Sequence, residues 1–157
     1  MTPASKPYHL GDDGVAIIIE FEGFRSESYQ DIVGIWTIGY GTTRLNGKKV
    51  QQGMTITEPA AQQALKDDAQ AAAQYLSDGV SVPLSQPQVD ALVCFCYNVG
   101  VSAFHGSTIR RTLNAKQPVT EAMFTAWNKS RQNGQLVPSN GLTRRRKAEF
   151  ALFSRGH

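Results

Sequence analysis

The chain has 157 residues, 41% of them hydrophobic and 18% charged, with a formal charge of +3. That balance excludes a disordered tail, a collagen and a disulfide scaffold, and fits one compact domain or two small lobes sharing a core. The charge is unevenly divided: residues 1–78 hold six basic and ten acidic side chains, a net −4, whereas residues 79–157 hold ten and three, a net +7. A positive second half suits nucleic acid, a membrane surface or a polyanionic polymer such as a cell wall, so charge alone leaves three partner classes open.

In chain order, residues 1–10 carry one Lys and two Pro but no apolar stretch of the length a secretory signal needs, so synthesis in the cytoplasm is expected. The apolar run at residues 15–19 stops at Glu20, no run in the chain approaches the roughly 20 residues that span a bilayer, and no stable membrane insertion is expected. That run follows Asp12 and Asp13, either of which is predicted to cap a first helix that Gly23 closes. Residues 29–50 switch to aromatic and β-branched types with Gly34, Gly39, Gly41 and an Asn46-Gly47 turn, predicting a small antiparallel hairpin sheet. Thr57, Glu58 and Pro59 then open a long helix, about 57–78, rich in Ala, Gln and Leu.

The second half is predicted to be a set of shorter helices. Ser85 caps one that runs through Val99 and ends at Gly100; Ser107 caps another to about Asn114; a third covers 119 to about 129. A loop marked by Gly134 and residues 138–141 precedes a last helix from Leu142 to about Phe153. The fold class is therefore α+β, one domain over 1–157 with a helix-and-sheet lobe at 12–56, the long helix, and a helical lobe at 79–157, with a cleft between sheet and bundle. Cys94 and Cys96, two apart in a helix, project about 200° from each other and are expected as reduced core thiols. No Cys/His spacing suggests zinc, and no cofactor is expected.

Three residues could carry chemistry. Glu22 follows Ile18 and Ile19 by four and three residues, so in a helix its carboxyl sits at the end of an aliphatic stripe, a place suited to a proton donor. Glu20 is an equal candidate on periodicity, and pairing with Arg25 is the plain alternative for Glu22. Asp31 lies at the turn into the first strand, where it could equally serve an Asx turn. Alternation through residues 35–40 puts Trp36, Ile38 and Tyr40 on one face and Thr37 on the other, toward the cleft. A helix-end carboxyl, a carboxylate on the next turn and a hydroxyl between them are what glycoside hydrolysis requires: an acid for the leaving oxygen, and a carboxylate to orient water or stabilise positive charge on the sugar.

The stretch Phe21-Glu22-Gly23-Phe24-Arg25, then Tyr29-Gln30-Asp31, then residues 34–41 (GIWTIGYG), resembles the phage-type lysozymes of glycoside hydrolase family 24, many of them endolysins. Their signature is Glu, eight residues, Asp, five residues, Thr; eight residues separate Glu22 from Asp31 and five separate Asp31 from Thr37. Phe95-Cys96-Tyr97-Asn98-Val99-Gly100, Ser107-Thr108, Trp127 and Gly141-Leu142 with Arg145, Arg146 and Glu149 extend the likeness over about residues 12–155. The resemblance implies a lysozyme-like fold and a monomeric muramidase that cuts peptidoglycan glycan strands at the β-1,4 bond from N-acetylmuramic acid to N-acetylglucosamine. It assigns the proton donor to Glu22 rather than Glu20, and to Asp31 and Thr37 the positioning of water, with Asp31 as base or nucleophile left open.

The same likeness implies sugar contacts at Thr43, Tyr97, Asn98 and Ser107, the last of which is also placed to cap a helix. Some relatives carry an N-terminal signal-anchor segment and a cysteine near the catalytic Glu; the absence of both here implies the subtype that accumulates in the host cytoplasm and reaches the wall after a holin opens the membrane. A lytic transglycosylase and a non-catalytic wall-binding protein are the alternatives on this fold. Nucleic acid is not expected as a partner, since no binding motif accompanies the basic residues. Arg144-Arg145-Arg146-Lys147, with Arg110-Arg111, form either a solvated positive face or, at Arg145 or Arg146, an inward partner for a carboxylate.

Overall fold

The computed structural model describes residues 2–156. Helix α1 (Asp12–Glu22) is followed by strands β1 (Arg25–Gln30) and β2 (Trp36–Gly39), then β3 (Arg44–Leu45) and β4 (Lys48–Lys49), and then by the long helix α2 (Glu58–Gly79). The helical lobe holds α3 (Gln86–Val99), α4 (Val101–His105), α5 (Thr108–Asn114), α6 (Glu121–Thr125), the hairpin β5 (Lys129–Gln132) and β6 (Gln135–Pro138), and α7 (Asn140–Ser154).

The N-cap of α1 is Gly11, not Asp12 or Asp13, which sit instead in the first helical turn. Gly11 has no side chain to cap with, so the acceptor comes from another helix: its N–H donates to Oδ1 of the buried Asp90 on α3, at 2.8 Å. A β-carbon on Gly14 would stand 3.0 Å from the Asp90 Cβ and 2.4 Å from Leu10, so glycine is what lets the two helices approach. At the other end Gly23, with φ of 72°, closes α1 through its N–H to the Ile19 carbonyl.

β1 starts at Arg25, four residues before the predicted strand, because Arg25-Ser26-Glu27-Ser28 carries no apolar alternation. It is held from both edges. Antiparallel pairing sets Arg25 opposite Gly39, Tyr29 opposite Thr37 and Gln30 opposite Trp36, while the 54–56 segment pairs on the other side through Ser28 N–H to Met54 O and Ile56 N–H to Ser26 O. Asn46 and Gly47, both at positive φ, make the tight turn of β3–β4. Thr57 caps α2 by accepting from the Ala60 N–H, and the Ala, Leu face of α2 is buried.

Helix α3 is the hub. Its residues 89–96 are buried without interruption, as they must be for a helix enclosed by α1, α2, α4 and α7. Phe95 meets Phe104, Phe124 and Trp127 edge-to-face in the larger apolar cluster; a second cluster joins Val15, Ile18, Tyr40, Ala61, Leu65 and Cys94 between α1, α2 and the sheet lobe. Cys94 and Cys96 are both free and buried, as expected.

Helix α3 ends at Gly100 as expected, and the same residue, at φ of 94°, starts the five-residue α4, which the sequence did not signal. Three other expectations are corrected. The helix expected over 119 to about 129 covers only Glu121–Thr125, and the loop expected after it contains the β5–β6 hairpin, turned at Asn133-Gly134. Ser139 caps α7 through the Leu142 N–H, so that helix begins at Asn140.

Because Asp90 supplies the cap that Gly11 lacks, Asp90→Ala is expected to lower stability by about 1–3 kcal/mol, read by urea or thermal unfolding. An unchanged midpoint would show that the α1 terminus is held by other means.

Candidate active site

Glu22 is the last residue of α1, and the Gly23 cap turns the chain away so that its carboxylate projects between the lobes. Oε1 accepts a 2.8 Å hydrogen bond from Nη1 of Arg145. Oε2 lies 3.3 Å from the place a β-carbon on Gly41 would occupy, with the Tyr97 ring alongside. Gly41 is at φ of 82°, a backbone conformation that favours glycine, and a β-carbon there would crowd the Glu22 carboxylate. A cavity of about 340 Å³ opens over Glu22, lined also by Glu20, Asn98, Leu142 and Arg144. Glu20 is exposed there and, among the described residues, makes no ion pair, so the structure separates two glutamates that periodicity left equal. The partner of Glu22 is Arg145 rather than Arg25, and its surroundings are ionic rather than the aliphatic stripe expected.

Arg145 belongs to a buried cluster. Its Nε donates to Glu149 Oε2 at 3.0 Å and its Nη2 to the Cys94 carbonyl at 2.9 Å, so each guanidinium nitrogen is used. Arg146 Nη1 stands 3.3 Å from Glu149 Oε1, its Nη2 donates to Asn98 Oδ1, and the guanidinium lies over the Phe95 ring. Of the four consecutive basic residues, 144 and 147 are exposed and 145 and 146 point inward. Burial works against the Arg145 cation, but Glu149 and Glu22 outweigh it and hold it above its usual value. Burial lowers Arg146, and Glu149 offsets this only in part. Burial pushes the Glu149 carboxyl up to about 7, against the opposing pull of the Arg146 and Arg145 charges.

The β1–β2 hairpin leaves Glu22 at Gly23, turns at Asp31 and returns past Thr37 to Gly41, so both of its ends meet at Glu22. Asp31 Oδ1 accepts from the Val33 and Ile35 N–H groups, each at 2.9 Å, which makes the Asx-type turn and fixes the carboxylate. Oδ2 makes no hydrogen bond among the described residues. Thr37 does not stand open to the cleft as alternation suggested. It is 5% exposed and its Oγ1 donates to the Ile35 carbonyl at 3.0 Å; Gly39, at φ of 66°, interrupts the strand, so alternation does not run through to Tyr40.

The predicted sugar contacts divide. Asn98 lines the Glu22 cavity, and Tyr97 is beside Gly41 with its hydroxyl donating to the Tyr40 carbonyl at 2.6 Å. Burial, then the Asp68 and Glu22 charges, raise the Tyr97 phenol, which stays protonated. Thr43 is exposed in a separate cavity of about 380 Å³ with Gly34, Ile35 and Trp36, next to the Asp31 turn. Ser107 is not brought to the site: it is buried, its hydroxyl donates to the Phe104 carbonyl and accepts from the Arg110 N–H, and it serves as the α5 cap. Thr42, which no sequence pattern marks, is buried and ties the β2 turn to α2 by donating to Asp68 at 3.0 Å.

Residues 19–149 match the family described as Phage lysozyme. The chain belongs to that family. The endolysin of Salmonella phage P22 is 40% identical over 147 residues, covering 92% of this chain and 97% of that one, and the endolysin of Acyrthosiphon pisum secondary endosymbiont phage 1 is 36% identical over 146 residues with the same coverage. Among solved structures, an endolysin from Escherichia coli O157:H7 phage FAHEc1 superposes with a TM-score of 0.86 at 37% identity, covering 97% of this chain and 96% of that one. The lysozyme-like α+β fold expected from the sequence is therefore the fold observed, and membership of the phage lysozyme family makes the chain a glycoside hydrolase of the lysozyme type.

Gly41→Ala is expected to press on the Glu22 carboxylate and reduce cell-wall lysis by about 10- to 100-fold, followed by turbidity loss of permeabilised cells; full activity would show that Glu22 has room to shift. Because the folded Glu149 pKa is raised from 4.5 to about 7, the folded state binds a proton that the unfolded state releases earlier. Its contribution to stability is present below about 4.5 and lost as pH rises through 7. Wild type should therefore lose stability relative to Glu149→Gln over that window, as measured by unfolding at each pH.

Proposed function

We propose that the chain is an endolysin-type muramidase that hydrolyses the β-1,4 bond between N-acetylmuramic acid and N-acetylglucosamine in peptidoglycan. The observation that carries this reading is Glu22, held by Arg145 in the lining of an open cavity, with eight residues between it and Asp31 and five between Asp31 and Thr37. Glu22 protonates the leaving glycosidic oxygen. Asp31, with one oxygen fixed by two amides and the other uncommitted, steadies positive charge at the sugar and positions the water, while Thr37, its proton given to the Ile35 carbonyl, serves that water only as an acceptor. Thr43, Tyr97 and Asn98 contact the glycan. A monomer, made in the host cytoplasm and admitted to the wall by a holin, completes the reading. No described helix is long and apolar enough to cross a membrane, which accords with access by such a route.

Glu22→Gln should abolish lysis, by at least about 100-fold, while Glu20→Gln keeps most of it. The reverse outcome would move the acid to Glu20. Mass spectrometry of digested walls should find reducing muramic ends. Products ending in 1,6-anhydro rings would make the enzyme a lytic transglycosylase, and walls bound without cleavage would make it a binding protein.

A further inference from the structure

Arg145, which holds the Glu22 carboxylate, is itself held by Glu149. The Glu149 carboxylate has no exposed surface and lies between two guanidinium groups, Arg145 Nε at 3.0 Å from one oxygen and Arg146 Nη1 at 3.3 Å from the other. Arg146 Nη1 and Nε and Glu149 Oε1 make no hydrogen bond, so charge, more than directed bonding, keeps this half of the cluster together. Counted with Glu22 ionised, the four side chains are neutral; without Glu149 they would leave one net positive charge facing the proposed acid.

We infer that Glu149 is a positioning residue for catalysis, which aims Arg145 at Glu22 and, by its negative charge, keeps the two arginines from stripping the proton that Glu22 must deliver. This inference rests on the reading of Glu22 as the acid. A cation beside a proton donor favours proton loss, and an anion beside the same cation cancels that effect. Arg145 and Glu149 are both buried, so little solvent screens the charge that cancels the cation. Burial pushing Glu149 up to about 7 places its ionisation where it bears on activity near neutral pH.

The other groups facing Glu149 do not take over this part. From α3, Cys94 and Cys96 are raised by burial and stay neutral, and Asp90 is committed to Gly11 and Gln86. From α1 the facing charge is Glu22 itself. From α6 the packed residue is Phe124, and its one ionisable side chain, Glu121, is exposed. On α7 the facing charges are Arg145 and Arg146.

The test is the pH profile of kcat/KM on solubilised glycan strands. In Glu149→Gln the alkaline limb should move to lower pH by about one pH unit, and in Arg146→Gln, which removes a positive charge, it should move to higher pH. Glu149→Asp, which keeps the charge, should stay nearest to wild type. A purely structural role would scale the whole profile and leave the limb in place; that result, in variants shown to be folded by thermal melting, overturns the inference. If the variants do not fold, carboxyl carbon NMR of the unaltered protein decides: Glu22 and Glu149 should each show an inflection from the other's titration, and independent curves overturn it. Lysis retained in Glu22→Gln would remove the acid and this inference with it, whereas an unmoved limb beside an inactive Glu22→Gln removes only the part given to Glu149.

Discussion

Two arginine side chains with almost no exposed surface sit in the middle of this enzyme, and the arrangement of its helices answers to them. Isolated, each would be prohibitively costly to remove from water. Arg145 is tolerated because α1 supplies Glu22, α3 supplies a carbonyl and α7 supplies Glu149; Arg146 is tolerated because α7, α3 and the Phe95 ring meet it. Removing one member of such a cluster typically costs about 3–5 kcal/mol, since the remaining charge is stranded. The Glu22–Arg145 contact ties the end of α1 to α7, alongside the packing of α1 on α3. Stability of the bundle and aim of the proposed acid thus share one contact.

Around this cluster the remaining polar ties join elements distant in sequence. Asp90 caps α1, Thr42 joins the β2 turn to Asp68 on α2, and the Tyr97 hydroxyl reaches the Tyr40 carbonyl across the cleft. Each crosses from one lobe or helix to another, while the aromatic contacts of Phe95 fill the space between them. The charge asymmetry of the sequence takes on a different meaning in this light. Two of the basic residues in the positive half are internal and matched by carboxylates, and Arg110 and Arg111 donate to the Gly79, His105 and Gly106 carbonyls. The cationic surface is smaller than the count of +7 implies.

What could be read in the sequence followed the physics that local patterns encode. Thr57 with Pro59, Ser107 as a cap, Asn46-Gly47 as a turn, and the residue spacing of Glu22, Asp31 and Thr37 all depend on neighbours within a few residues, and each was legible. The strands β1 and β5–β6 were not, because Arg25-Ser26-Glu27-Ser28 and Lys129-Ser130-Arg131-Gln132 have no buried face to make them alternate. Asn133-Gly134 was the available signal for the second hairpin. The α1 cap was misassigned because the acceptor lies 79 residues away. In the site, the sequence offered two inward arginine candidates and two glutamates, and only tertiary geometry pairs Arg145 with Glu22 and leaves Glu20 in solvent. Ser107 shows the converse: a residue whose capping role and proposed ligand role compete for one hydroxyl, and the cap takes it.

The Glu22–Arg145 contact spans 123 positions of chain. At ribosomal speeds of about 5–20 residues per second, Arg145 is polymerised about 6 to 25 seconds after Glu22. For most of that interval the segment with Asp31 and Thr37 has already been made, yet the proposed acid has no guanidinium to hold it and α1 has neither α7 nor, at first, α3 to lie against. The proposed catalytic signature is written early and assembled last, so a nascent polypeptide on its ribosome carries the whole Glu-Asp-Thr motif without the Glu22–Arg145 contact.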